Sequence, residues 1–217
     1  RDINNKLHTE YVFRGGRGST KSSDISEQII KLIKNNPTMH ALATRQVGNT
    51  LRDSVYAQLV WAISELGLSD EFKTTTSPLE IEYLPTGQKI YFRGADDPGK
   101  IKSIKPQFGY IGILWFEELD QFRGPEAVRK IEQSVIRGGD EAYIFKSFNP
   151  PPTANNWANK YIQTPKDTQY QHFSNYLGLP ESYLQDYVKA KKDPTIKVMS
   201  LDEAIKVYAH MAVPQEW

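Results

Sequence analysis

Apolar and polar positions along the chain repeat with two periods, one helical and one extended. "EYVF" (residues 10–13) is a short apolar run of the kind a buried strand presents, and Ile25, Ile29, Leu32 and Ile33 then recur at the spacing of one helical face. "NNP" ends that pattern. "MHALATR" reads as a second buried strand, and Leu51, Val55, Leu59, Ala62, Ile63 and Leu66 predict a long helix that Gly67 is placed to terminate. "PLEIEYLPTGQKIYFRG" alternates apolar with polar residues on either side of "PTG", which predicts a β-hairpin, and "ADDPGKIKSIKPQFG" after it reads as a basic, turn-rich loop.

"YIGILWFEELD" is a nearly continuous apolar run closing on two glutamates, the pattern of a central parallel strand covered on both faces. Pro125 suits a first helical turn, with Val128, Ile131 and Val135 on one face, and "EAYIFKSFNPP" is a further strand stopped by Asn-Pro. "PPTANNWANK" leads into a short helix and "QYQHFSNY" reads as one more strand. "PESYLQDYVKAKKD" and "SLDEAIKVYAHMAV" predict two amphipathic helices. The expected fold class is therefore α/β, a mostly parallel central sheet flanked by helices with a small helical C-terminal appendage.

Composition narrows the function classes. The 217 residues contain no cysteine, which excludes disulfides and thiolate metal sites. No apolar run reaches the length of a membrane span, and the first ten residues carry no signal-peptide core, so an intracellular protein is expected. A net charge of +1 means that any nucleic-acid contact must be local. Lys100, Lys102 and Lys105 form the one basic cluster; they contact a phosphate backbone, reach a neighbouring subunit's nucleotide, or are simply solvated. Arg45 and Arg52, beside the second strand end, are weaker candidates of the same kind. The histidines have no metal-ligand spacing.

The candidate chemistry begins at "GGRGSTKS". A nucleotide-cradling loop reads Gly, four residues, Gly, Lys, Ser or Thr; here Gly15 is followed by Gly16, Arg17, Gly18, Ser19, Thr20, Lys21 and Ser22, and only Thr20 departs from the pattern. Strand, Gly-rich loop and helix follow in the order that aims backbone N–H groups and a helix N-terminus at phosphates. In such a loop a lysine and a hydroxyl, here Lys21 and Ser22, follow at the start of the helix. Hydrolysis also needs an acid to organise the metal and a base for water: Glu117 fits the metal side and Glu118 the base, on a strand expected beside that of the loop. Successive residues at a strand end point to different sides, which would give the two acids separate roles. Arg17 either lies near the γ-phosphate or folds back to solvent. Asn149 either contacts the γ-phosphate or attacking water, or is a turn residue before Pro150.

Five blocks in order, "FRGGRGSTKSS", "LRDSVYAQLVWAI", "SPLEIEYLPTGQKIYFRGADDPGKIKSIK", "GYIGILWFEELDQF" and "FNPPPTANNW", closely resemble the ATPase region of phage large terminase subunits, in the group found in phages and prophages of Gram-positive bacteria. The resemblance runs from about Asp2 to Tyr176. It implies a RecA-like P-loop ATPase core over residues 1–176 and a helical lid or linker over 177–217; full-length members of the family also carry a C-terminal nuclease domain, but no RNase H-like sheet with spaced aspartates fits the remaining helices, so no nuclease domain and no DNA cleavage are expected here. It also implies a Mg2+-dependent ATP-hydrolysing motor that moves double-stranded DNA into a procapsid in the host cell cytoplasm. Its partners would be the portal protein and the small terminase subunit; it would form a homo-oligomeric ring when docked, be a monomer in isolation, and use no membrane. On that resemblance Arg17 matches the loop arginine, Lys21 and Ser22 the phosphate and magnesium residues, Glu117 and Glu118 the acidic pair, and Asn149 the coupling motif. Rival readings are a generic DNA-dependent ATPase or helicase, a nucleoside kinase, and a nucleotide-switched binding module without turnover.

Overall fold

A computed structural model describes residues 3, 8–16, 18–153, 155–162, 169–174, 183, 186–187, 189–190 and 195–207. Its centre is an eight-stranded sheet built from β1 (Glu10–Gly15), β2 (Met39–Arg45), β3 (Phe72–Thr76), β4 (Leu79–Tyr83), β5 (Gln88–Gly94), β6 (Tyr110–Glu117), β7 (Tyr143–Phe148) and β8 (Gln169–Ser174). The spatial order is β3-β4-β5-β2-β6-β7-β1-β8. The pairings from β5 across to β8 are parallel, whereas β3-β4 and β4-β5 are antiparallel. The hairpin expected around "PTG" is β4-β5, and Gly87 in its turn has φ 77°, a left-handed conformation that glycine enters without strain. β3 has no periodic signature in the sequence: "FKTTT" contributes one buried residue, Phe72, and otherwise lies as a polar edge.

The central strands alternate their apolar side chains between two buried faces. Tyr11, Phe13, Ile113, Trp115 and Phe145 pack in one core cluster with α1 (Lys21–Asn35) and α2 (Ala57–Glu65). Val12, Leu42, Leu114, Phe116 and Phe148 pack in the other with α3 (Pro98–Lys102), α4 (Pro125–Val135) and α5 (Trp157–Tyr161). The two-sided burial explains why these strands read as continuous apolar runs.

Polar groups fix the connections. Gln88, fully buried, directs its amide nitrogen at the carbonyls of Ile33, Asn36 and Met39 at 2.9, 2.6 and 2.8 Å, so the α1–β2 turn is tied to β5. At the end of α2 the amide of Leu68 donates to Ile63 and that of Gly67 to Ser64, with Gly67 at φ 68°, the glycine-terminated helix end that the sequence predicts. The helix before it is not uniform: a 3₁₀ turn (Gly48–Thr50) and a π segment (Arg52–Tyr56) precede α2, where the periodicity predicts one long α-helix. The basic loop likewise contains α3, capped by the Asp97 carboxylate accepting from the Lys100 amide.

β8 lies beside β1. Within the C-terminal segment the described residues include α6 (Leu201–Val207); much of the first amphipathic helix expected there lies outside the described residues, as does the end of the second. Among the described residues no helix is long and apolar enough to cross a membrane.

Candidate active site

The loop after β1 carries left-handed backbone at Gly18 (φ 72°) and at Thr20 (φ 57°, ψ 6°), immediately before α1 begins at Lys21. Thr20 thus adopts the conformation that a glycine usually supplies, with its hydroxyl donating to the Ser19 carbonyl at 2.8 Å. Gly18, Ser19, Thr20, Lys21, Ser22 and Ser23 line a cavity of about 230 Å³ at the start of α1, where a helix N-terminus favours anions. Arg17 lies outside the described residues.

Lys21 is turned into this cradle. Its Nζ donates to the carbonyls of Gly15 and Gly16 (2.9 and 3.1 Å), to Ser19 Oγ (2.9 Å) and to Asn149 Oδ1 (3.0 Å). Burial lowers its pKa, opposed by the charge of Glu117. An ammonium held this way is compensated by neutral oxygens and a distant carboxylate, so an incoming phosphate would satisfy it better.

The sheet order changes one expectation. The acidic strand β6 is not next to β1; β7 lies between them. Asn149, following β7, is therefore interposed between the loop and the acidic pair, which accounts for its bond to Lys21. The cavity lined by Glu118, Asp120, Gln121, Asn149 and the prolines after it measures about 550 Å³. Ser22 and Glu117 face a separate cavity of about 310 Å³, shared with Asp53, Gln58, Trp61 and Trp115.

The acid pair also departs from expectation. Glu118 has φ 55° and ψ 54°, so the strand alternation breaks there and the two carboxylates converge on one cation. Arg45, the last residue of β2, brings Nε to 2.8 Å from Glu117 Oε2, and its guanidinium also contacts Glu118 Oε2. Arg45 therefore lies against the candidate acid pair. Burial raises the pKa of Glu117, while Arg45 and then Lys21 pull it down.

A divalent cation fits this donor set. Glu117 Oε2 is buried and lacks a hydrogen-bonded partner despite its charge contact with Arg45, and it shares its cavity with the Ser22 hydroxyl. One carboxylate and one hydroxyl leave room for water and phosphate ligands, as magnesium prefers. Among the described residues no three His, Asp or Glu side chains form a metal cluster.

The basic cluster stands apart from these groups. Lys100, itself exposed, pairs with Asp97 at 3.1 Å on α3, Lys102 lines a cavity between α3 and α4, and Lys105 lines another with Gly109 and Tyr110. Arg52 is exposed on the π segment.

Residues 7–200 match the family model described as phage terminase large subunit. The chain belongs to that family. It is 37% identical over 207 residues to the terminase large subunit of Bacillus phage SPP1, an alignment covering 91% of this chain and 49% of the relative. The chain spans about half the length of the curated relatives it matches. The terminase fold recurs in the large terminase of a thermophilic bacteriophage solved in complex with ADP, at 14% identity and TM-score 0.59 over 85% of this chain and 45% of that one. It recurs too in the large terminase ATPase domain of Thermus phage P74-26, at 12% identity and TM-score 0.56 over 98% of this chain and 94% of that one. Identities this low speak to the fold alone, a mostly parallel α/β sheet flanked by helices, the fold class expected from the sequence.

Proposed function

We propose that this terminase chain is an ATP-hydrolysing motor domain that couples hydrolysis to movement of double-stranded DNA into a procapsid. The observation that carries the reading is convergence: the ends of β1, β7 and β6 bring Lys21, Asn149 and the Glu117–Glu118 pair to one edge of the sheet, where open α/β sheets hold their ligands. Membership of the terminase family supports the packaging role.

In this reading the loop amides and Lys21 take the β- and γ-phosphates. Ser22 and Glu117 would hold Mg2+, which would neutralise charge on the phosphates. Glu118 removes a proton from water as the water oxygen bonds to the γ-phosphorus; the bond from that phosphorus to the bridging oxygen breaks, and ADP and inorganic phosphate leave. Asn149 moves with Lys21 when the γ-phosphate is lost and carries that change into β7. Residues 1–176 form the ATPase core and 177–217 a lid or linker. The working form is a ring on the portal protein, with the small terminase subunit as a partner, in the host cytoplasm, and with Arg17 or a basic residue such as Lys100, Lys102 or Lys105 completing a neighbour's site or meeting DNA.

The test is ATP turnover by the wild-type chain beside Lys21→Ala and Glu118→Gln, with and without duplex DNA. Lys21→Ala is expected to lose nucleotide binding, and Glu118→Gln to bind nucleotide but turn over at least about a hundredfold more slowly, the usual scale of general-base catalysis. Unchanged turnover in Glu118→Gln would remove that residue from its role. A strand-displacement assay separates this motor from a helicase, because a packaging motor moves along duplex DNA without unwinding it.

A further inference from the structure

The face of the sheet that carries α3 and α4 holds a groove that the nucleotide chemistry does not use. α4 turns one stripe toward it: Ala127, Lys130, Ile131, Ser134 and Val135, at positions i, i+3, i+4, i+7 and i+8. Two cavities of about 330 and 250 Å³ lie along that stripe, and Ile101 and Ser134 line both, so they form one continuous depression. Its floor is apolar. Ile101, Ile131 and Val135 are buried there, with Ala95 and Pro98 at one end and Ile104 and Pro106 at the other. From Ala127 to Val135 the stripe runs about 12 Å at the rise of an α-helix.

Every charged side chain lining the groove is a cation: Lys102, Arg123 and Lys130 around the first cavity, Lys105 and Arg137 around the second, all five exposed. The acids of the same two helices and their caps are engaged elsewhere. Asp97 caps α3 and pairs with Lys100 at 3.1 Å, Glu126 pairs with Arg129 at 2.8 Å, and Glu132 reaches Lys146 at 2.6 Å. None of the five groove cations forms an ion pair among the described residues; Lys130 acts on Glu126 only at longer range. Like charges gathered round an apolar floor raise the local potential, and an anionic occupant relieves it.

The floor decides which kind of anion fits. A phosphate backbone pairs with the cations but gains nothing from Ile101 and Ile131, whereas an amphipathic helix lays apolar anchors at i, i+3, i+4 and i+7 into such a groove and sets its flanking side chains over the rims. Lys102 stands on the α3 rim, and Arg123 and Lys130 on the α4 rim, so both flanks meet positive charge. We propose that the α3–α4 groove docks an acidic amphipathic helix of a partner protein, with aliphatic anchors on the Ile101–Ile131 floor and carboxylates against Arg123, Lys130 and Lys102. The groove lies across the sheet from α1 and α2, and the docking does not require the chain to turn over ATP.

The probe is a lactam-bridged synthetic helix of about three turns, with leucines at i, i+3, i+4 and i+7 and glutamates on both flanks, beside a scrambled peptide of identical composition and a short DNA duplex. Fluorescence anisotropy reads affinity, and methyl spectra of isoleucine-labelled protein read position. The amphipathic helix is expected to bind at least about tenfold more tightly than the scramble, to shift the Ile101 and Ile131 methyls, and to leave Ile29, under the other face of the sheet, in place. Arg123→Glu combined with Lys130→Glu, both at exposed positions, is expected to weaken binding about tenfold or more. Ala127→Gln, which leaves the charge alone and puts an amide beside the floor, is expected to weaken it about threefold. Equal affinity for helix and scramble, or binding by neither, overturns the docking site. Duplex DNA that shifts the same methyls, with peptides that do not discriminate, makes the groove a phosphate surface and overturns it as well. Self-association of the chain that the double variant abolishes would seat a second copy there, with the same consequence.

Discussion

Lys21 Nζ donates to Asn149 Oδ1 at 3.0 Å, joining residues 128 positions apart across the ends of β1 and β7. The bond makes the loop lysine and the Asn-Pro turn one unit, since any movement of the ammonium toward a phosphate must break or drag this contact. Asn149→Ala is therefore expected to leave nucleotide affinity within a few-fold of wild type and to lower turnover by about tenfold, roughly 1.4 kcal/mol in the barrier. Fluorescent-nucleotide titration beside steady-state turnover checks it; equal losses in binding and turnover would mean that Asn149 merely holds the loop.

Much of this site is legible in the sequence because phosphate chemistry constrains local order. Gly15 to Ser22 and Glu117–Glu118 are contiguous, so their spacing and flanking strands mark them as candidates without a fold. Arg45 is legible as a candidate cation at a strand end, but its contact with Glu117 and Glu118 is not. Its place depends on β2 lying beside β6, and strand order is a long-range property that local periodicity does not encode. The same limit hides the insertion of β7 between the loop strand and the acidic strand. β3 escapes for a different reason: an edge strand with a single buried side chain has no periodicity to read.

Lys146 on β7 has no exposed side-chain surface, and its Nζ meets Glu10 Oε1 at 2.5 Å, Glu132 Oε1 at 2.6 Å and Tyr161 Oη at 2.6 Å. The Tyr161 hydroxyl also donates to Glu10, and burial followed by that carboxylate drives its pKa upward, keeping the phenol protonated. This cluster ties β1, β7, α4 and α5 together below the site. Lys146→Met removes the central cation and leaves the two carboxylates facing one another in a buried space, which is expected to cost about 3–5 kcal/mol. Urea unfolding at neutral pH reads the loss. A change below about 1 kcal/mol would mean that the carboxylates take up protons or water without strain.

His40 is buried at 1% exposure in β2, its Nδ1 accepting from the Lys89 amide at 2.9 Å, with Phe108 tilted over the ring. Burial lowers its pKa, and the neighbouring Lys89 charge adds to the shift. The unfolded chain therefore binds the proton more readily than the folded one. The neutral ring's contribution to stability is full above the unfolded value of about 6.5 and is lost as pH falls from there through the lower folded pKa. The Tm of wild type is expected to drop between pH 7.5 and 5.5 more steeply than that of His40→Asn, which keeps an acceptor for the amide but takes no proton. Parallel curves would remove His40 from the acid response.

Thr20 stands where a phosphate loop usually has its second glycine, yet its backbone has φ 57°. The residue changed and the geometry did not, so a β-branched side chain is held in a left-handed conformation that costs roughly 1–2 kcal/mol. Glycine would relieve that strain while losing about 0.5–1 kcal/mol through the greater freedom of the unfolded chain. The net expectation for Thr20→Gly is a gain of about 0.5–1 kcal/mol, or a rise of roughly 1–4 °C in Tm for a chain of this size. The hydroxyl's bond to the Ser19 carbonyl works against the gain, because it fixes the turn locally. Thr20→Val separates the two effects: it keeps the β-branch and removes the hydroxyl, so its Tm should fall. Thermal unfolding of the three proteins without nucleotide decides the matter. If Thr20→Gly melts lower than wild type, the hydroxyl outweighs the strain and the threonine is what holds the cradle open for phosphate.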